Sequence, residues 1–203
     1  MRLHPLSLLL LLLTGAALPG CERTPDPAAP LAVNPDPAQA VIEASRRFAG
    51  LRAFHAEMTL HGAQADQVLR TRMTFVAPDR YQLETPAGVQ TIIGDTLFLQ
   101  AADRVQQMPV PEGLLDQWRS PVPADAQLRD ATVEDRGSAT LDGQSARVYR
   151  ITGQGGSETL QYWIGGDGLL RQIQREGLNQ GKPYRITLRY SHLNDAGLQV
   201  PLP

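Results

Sequence analysis

Phe54-His55-Ala56-Glu57-Met58-Thr59-Leu60-His61 alternates apolar and polar side chains without a break, and Leu69-Arg70-Thr71-Arg72-Met73-Thr74-Phe75 repeats the alternation a few positions later. A period of two sends successive side chains to opposite faces of an extended strand. Phe54, Ala56, Met58 and Leu60 therefore share one face, and His55, Glu57, Thr59 and His61 the other. Leu69, Thr71, Met73 and Phe75 likewise face away from Arg70, Arg72 and Thr74. One apolar and one polar face is the pattern of antiparallel strands packed on a core on one side and wetted on the other.

Towards the C-terminus the same period recurs between turn signals. Pro78-Asp79 turns the chain into Tyr81 and Leu83, Pro86-Ala87-Gly88 into Gln90–Ile93, Gly94-Asp95 into Thr96–Gln100, and Ala102-Asp103 into Val105–Met108. Pro109-Val110-Pro111 interrupts the pattern, and Glu112–Arg119, with Leu114, Leu115 and Trp118 on one side, reads as a short helix continued by Ala124–Arg129. Strands resume with Ala131–Arg136 and Ala146–Thr152 around Asp142-Gly143, then Glu158–Ile164 and Leu169–Glu176 as a hairpin. A last strand carries Tyr184, Ile186, Leu188 and Tyr190 in alternation with Arg185, Thr187 and Arg189.

Before the first strand the period is helical. Asp36 stands as N-cap, Pro37 at the first helical position and Gln39 where a capping box would place it; Val41, Ala44, Ser45 and Phe48 then fall on one face, and Gly50 ends the run. The sum is a mainly β (α+β) chain of about eleven strands with two or three short helices. At about 4.8 Å per strand a flat sheet of that size would be roughly 50 Å wide, whereas one helix covers about 10 Å. The expected architecture is a curved antiparallel unclosed β-barrel whose helices plug only part of the concave face. The expected lining of that face is Phe54, Met58, Leu60, Met73, Phe75, Tyr81, Leu83, Leu97, Leu99, Tyr184, Ile186 and Leu188. Methionines suit a surface that must adapt to varied acyl chains.

The N-terminus gives location. Residues 1–20 read as a signal peptide: Arg2, an apolar run from Leu6 to Leu13 too short to span a bilayer, and a small-residue end. Leu18-Pro19-Gly20-Cys21 resembles the bacterial lipobox, with Pro19 a departure from it, so Cys21 is expected to carry a diacylglycerol and palmitate-type acyl anchor. Lipid attachment also accounts for a single cysteine in an exported chain. Glu22 is not the aspartate associated with inner-membrane retention, which favours the periplasmic face of a Gram-negative outer membrane. Residues 21–35 form a Pro-rich tether, reaching on the order of 40 Å if extended, and residues 36–203 a single folded domain.

Composition excludes some partners. The chain has 203 residues, a formal charge of −2 and Lys182 as its only lysine, which argues against nucleic acid and against a polybasic membrane patch. His55 and His61 are six residues apart, about 20 Å along a strand, and His192 has no evident partner, so no metal or other cofactor is expected. Ser145 and Ser157 lack a nucleophile-elbow context, Glu57 and Glu84 read as exposed strand residues, and no catalytic residue is assigned. Arg70, Arg72, Arg185 and Arg189 read as a solvated strand face, with a phosphate headgroup as the alternative.

The order of lipobox, helix, Phe54-His55-Ala56-Glu57-Met58 strand, Phe75-Val76-Ala77-Pro78-Asp79-Arg80-Tyr81, Ile92-Ile93-Gly94-Asp95-Thr96-Leu97 hairpin and closing Tyr190-Ser191-His192-Leu193-Asn194 resembles the LolA-like superfamily. That superfamily includes LolA, LolB and the LppX type of lipid-binding lipoprotein. The resemblance implies an unclosed eleven-stranded barrel with a helical plug that binds acyl chains without catalysis. Anchoring at Cys21 suits the LolB and LppX types, and Leu114, Leu115 and Trp118 are the chemical analogues of LolB's membrane-contacting side chain. The expected function is a monomeric lipoprotein, attached to the membrane through its N-terminal lipid, that carries or accepts a lipid or lipoprotein acyl chains. The alternative is a structural or interaction lipoprotein with a self-filled barrel that docks a protein partner.

Overall fold

Asp36 begins the folded part by accepting hydrogen bonds on its side chain from the amides of Ala38 (2.9 Å) and Gln39 (3.3 Å), while Pro37 has no amide hydrogen to satisfy. Helix α1 runs Pro37–Ala49, buries Val41, Ala44 and Phe48, and ends where the Gly50 amide turns back to the Arg47 carbonyl. The Gln39 side chain bonds Glu43 at 3.3 Å, one turn further along. The structure is a computed structural model that describes residues 36–62, 68–101, 104–115, 131–153 and 158–203. The signal peptide, Cys21, the tether and Trp118 lie outside these residues. Residues Leu31–Pro203 form one compact unit.

Eleven strands follow: β1 (Ala53–His61), β2 (Val68–Val76), β3 (Arg80–Thr85), β4 (Gly88–Ile93), β5 (Thr96–Ala101), β6 (Arg104–Pro109), β7 (Thr132–Leu141), β8 (Gln144–Thr152), β9 (Thr159–Gly165), β10 (Leu170–Asn179) and β11 (Lys182–Ser191). They make one sheet in the order β6-β5-β4-β3-β2-β1-β11-β10-β9-β8-β7. Every neighbouring pair is antiparallel. The first and last strands thus meet at the centre, and β6 and β7 are the two edges, so the sheet is not closed into a barrel. Residues 110–131 join one edge to the other. At the described ends of that connection Val110, Leu114, Leu115 and Ala131 all pack on the core.

The expectation of two or three helices is corrected. Among the described residues α1 is the one α-helix, and Glu112–Leu115 form turns. Gly113 has φ +75, a left-handed conformation that no right-handed helix can pass through, and Pro109 and Pro111 remove two amide donors just before it. Residues 116–130, including the expected continuation at 124–129, lie outside the described residues.

Register shows how the alternation becomes a core. One inward-facing row crosses six strands as Phe54, Phe75, Tyr81, Ile92, Leu97 and Met108. Phe48 of α1 lies on it, 5.0 Å from Phe54 and 4.6 Å from Tyr190 between ring centroids. The ring contacts continue to Phe75 and Tyr81. Tilted and edge-on geometries of this kind add about 0.5–1.5 kcal/mol per pair beyond the area they bury.

Candidate functional site

All twelve residues expected to line the concave face are on the inner face of the sheet. Phe54, Met73, Tyr81, Leu83 and Leu97 are buried in the core; Met58, Phe75, Leu99 and Leu188 are half-buried and packed against it. Leu60, Tyr184 and Ile186 stand further along the same face, outside the core cluster, and are half-buried. They line a cavity of about 540 Å³ together with Glu158, Leu178 and Pro183. A second cavity of about 310 Å³ lies near the end of α1, lined by Phe48, Ala49, Leu51, Phe54, Phe75, Pro78 and Tyr81. Both volumes fall within the roughly 300–1,000 Å³ of small-molecule sites.

The inner face changes character along the strands. A second inward row runs Leu69, Leu60, Ile186, Arg175, Leu160, Ile151 and Val133 across seven strands. Leu69 in this row is 55% exposed, whereas Phe54, on the same face of neighbouring β1, is 4% exposed. Beyond the row, Tyr184 reaches across Gly177, where a Cβ would come within 3.0 Å of the tyrosine hydroxyl. That hydroxyl donates to Glu158 Oε1 at 2.7 Å. The hydrogen bond raises the Tyr184 pKa, with burial adding to it.

The inner face also carries polar groups, among them an ion pair. Asp135 receives Arg147 Nε at 2.9 and 2.8 Å on its two oxygens and the Gly137 amide at 2.8 Å. The Arg147 hydrogen bond holds the Asp135 carboxyl below the usual carboxylate range, against the opposing effect of burial. Tyr162 and Tyr190 are pushed well above the ordinary phenol range by burial, and neither hydroxyl has a hydrogen-bond partner among the described residues. The sequence reading did not select Phe48, Tyr149, Tyr162, Ile173 or Tyr190 for this face. The alternation of Tyr149 with Ile151, and of Tyr162 with Leu160 and Ile164, is the signal that could have found two of them.

The outer face holds the other candidates. Glu57 pairs with Arg70 (3.7 Å) and Arg72 (3.3 Å), and Glu84 with Arg72 (3.8 Å). Arg185 pairs with Glu176 (2.6 Å), and Arg189 with Asp142 (3.3 Å). These arginines point away from the groove, so the headgroup alternative does not apply to them. His55 and His192, unconnected in the sequence, meet edge-on at 5.1 Å, and His55 Nδ1 lies 2.9 Å from Thr74 Oγ1. His61 is exposed at the end of β1, and Ser145 is exposed in β8. Ser157 lies outside the described residues. Among the described residues no group of three or more His, Cys, Asp or Glu is placed to hold a metal ion. Of the expected membrane-contact residues, Leu115 is 6% exposed and part of the core, and its neighbour Leu114 is half-buried against that core.

Comparison with solved structures agrees with this architecture. The Mycobacterium tuberculosis lipoprotein LppX superimposes with a TM-score of 0.58 at 14% identity, over 83% of this chain and 100% of that one. LprF from Mycobacterium bovis gives 0.58 at 13% identity, over 84% of this chain and 98% of that one. The chain has the LolA-like fold. At these identities the likeness is one of fold alone. No family model matches the chain, and no curated protein matches its sequence. Among the described residues no helix is long and apolar enough to cross a membrane.

Proposed function

We propose that the chain is a non-enzymatic lipoprotein, anchored through an acylated Cys21 to the periplasmic face of the outer membrane, that holds a lipid or lipoprotein acyl chains against the inner face of its sheet. The observation that carries this reading is the aliphatic surface of exposed Leu69 and partly buried Leu60 and Ile186, outside the core cluster that contains Phe48 of α1. Apolar area of this kind gains about 25 cal/mol per Å² when an acyl chain removes it from water. That LppX, of the same fold, is a lipoprotein supports the lipid anchor, and the Pro-rich tether would supply the reach from membrane to domain.

The test is native mass spectrometry of the chain from residue 22 onward, exported behind a standard leader, followed by lipid extraction. Discrete adducts that extract as phospholipid or acylated peptide are the expected result. A bare mass that stays bare after incubation with phospholipid vesicles would mean a groove filled by its own side chains, and would overturn the proposal. The anchor is checked separately on the full-length protein extracted from membranes, whose N-terminal peptide should begin at Cys21 and carry acyl mass.

A further inference from the structure

The inward row of Leu69, Leu60, Ile186, Arg175, Leu160, Ile151 and Val133 contains six aliphatic side chains and one arginine. Arg175 is paired across the sheet with Ile186 on one side and Leu160 on the other. It is two residues beyond Ile173, which is 3% exposed in the core, so both point to the same face. Among the described residues Arg175 has no ion pair and no hydrogen bond to its guanidinium. On this face Asp135 is paired with Arg147, and Glu158 accepts the Tyr184 hydroxyl. Diagonal to Arg175 on the next strand stands Tyr162, 1% exposed, whose hydroxyl is also without a partner. The positive charge of Arg175 lowers the pKa of both the Tyr162 and Tyr184 hydroxyls slightly, against the larger raising effects of burial and of the Glu158 hydrogen bond.

Arg175 itself is exposed, so its charge stands at the open surface of an apolar strip, and such a pairing is complementary to a molecule with an acidic group attached to a hydrocarbon chain. Resting on the acyl-binding reading above, we propose that Arg175 binds the anionic headgroup, carboxylate or phosphate, of an amphiphile whose chain lies along Leu60, Ile186 and Leu188. The guanidinium is suited to this, because its planar fork meets a carboxylate or phosphate through two parallel hydrogen bonds. The outer-face arginines Arg70, Arg72, Arg185 and Arg189 have their own carboxylates and no adjoining apolar strip, so they offer no such site.

The experiment is displacement of a neutral apolar dye, N-phenyl-1-naphthylamine, from the chain spanning residue 22 to the C-terminus. Oleate, oleoyl lysophosphatidic acid and oleyl alcohol are compared, together with inorganic phosphate. Both acids should displace the dye at about tenfold lower concentration than the alcohol, the factor that corresponds to about 1.4 kcal/mol. Arg175→Gln should bring the acids to the alcohol's value and leave the alcohol unchanged, Arg175→Lys should keep part of the preference, and Arg185→Gln should change nothing. A thermal midpoint close to the parent's shows that each variant is folded; if Arg175→Gln is not, the Arg175→Lys comparison decides. Equal displacement by acids and alcohol, or a preference that survives Arg175→Gln, overturns the headgroup assignment and leaves acyl binding standing. Displacement by inorganic phosphate at the concentration of the acids overturns the amphiphile in favour of a free anion. No dye uptake by the parent chain overturns acyl binding itself, and the headgroup site with it.

Discussion

Strands β1 and β11 lie side by side at the centre of the sheet, and their two ends have different fates. At one end Phe54, Ala56 and Tyr190 are buried, at 4%, 3% and 5% exposure, beneath Phe48 of α1. At the other, Leu60 and Ile186 face the same way and are only half-buried, beside a cavity of about 540 Å³. The alternation of side chains does not change between the ends; the cover does. A 13-residue helix is about 20 Å long, and a single one cannot roof a sheet of eleven strands. Among the described residues, the same apolar face therefore serves as core where the helix lies on it and is only partly buried where it does not.

The strongest way to break that contrast is to truncate one side chain at each end. Phe54→Ala should destabilise the domain by about 3–5 kcal/mol, since the ring is enclosed by Phe48, Phe75 and Tyr190 and its removal leaves a hole. Leu60→Ala should cost less, about 1–2 kcal/mol, because the side chain is only partly buried and lies outside the core cluster. Urea unfolding of the two variants decides. Equal losses would make Leu60 a core residue, and the groove would then be full.

A smaller effect sharpens the same contrast from the side of the cover. Asp36→Ala removes the acceptor of the Ala38 and Gln39 amides and should destabilise by about 1 kcal/mol, while Asp36→Asn should be nearly neutral. Hydrogen exchange should rise in the first turn of α1 and stay unchanged at the Leu60 end of β1. Faster exchange at both ends would show that α1 holds the whole inner face in place, and the two ends would no longer be independent.

Most of this architecture was legible because strand and turn chemistry act locally. Alternation marked the eleven strands, and Asp142-Gly143, with φ of 50 and 78, is the hairpin turn its residue types imply. The start of α1 was legible from Asp36 and Pro37 for the same reason. The helix expected over Glu112–Arg119 was not, since its apolar spacing hid the left-handed Gly113. Arg175 was hidden by a different device. A register shift between Leu170 and Gln172 breaks the alternation of β10, so that Leu170 and Ile173 both reach the core although they are an odd three positions apart. Counting in twos from Leu170 puts Arg175 outside; the irregularity turns it inside. The meeting of His55 with His192 depends on β1 pairing with β11 across the whole length of the chain, which no local pattern encodes.

The smallest expected effect concerns the inward-facing ion pair that, unlike Arg175, is satisfied. Hydrogen bonds from Arg147 hold the folded-state pKa of Asp135 below its ordinary 3.8, with the Gly137 amide helping and burial opposing. A carboxyl whose pKa is lower in the folded chain than in the unfolded one contributes stability that is complete above the unfolded value. The contribution is lost as pH falls through the folded value. Asp135→Asn should therefore be less stable than the parent by a constant amount from neutral pH to about pH 5, and the gap should close below about pH 4. The side chains of Asp135 and Arg147 are 21% and 25% exposed, so solvent screening limits the gap to about 1 kcal/mol. Thermal unfolding of the two proteins from pH 7 to pH 2 measures it. A gap that stays constant to pH 2 would show that the loss comes from packing around Tyr149 in the same row and that the carboxylate and guanidinium contribute nothing to stability.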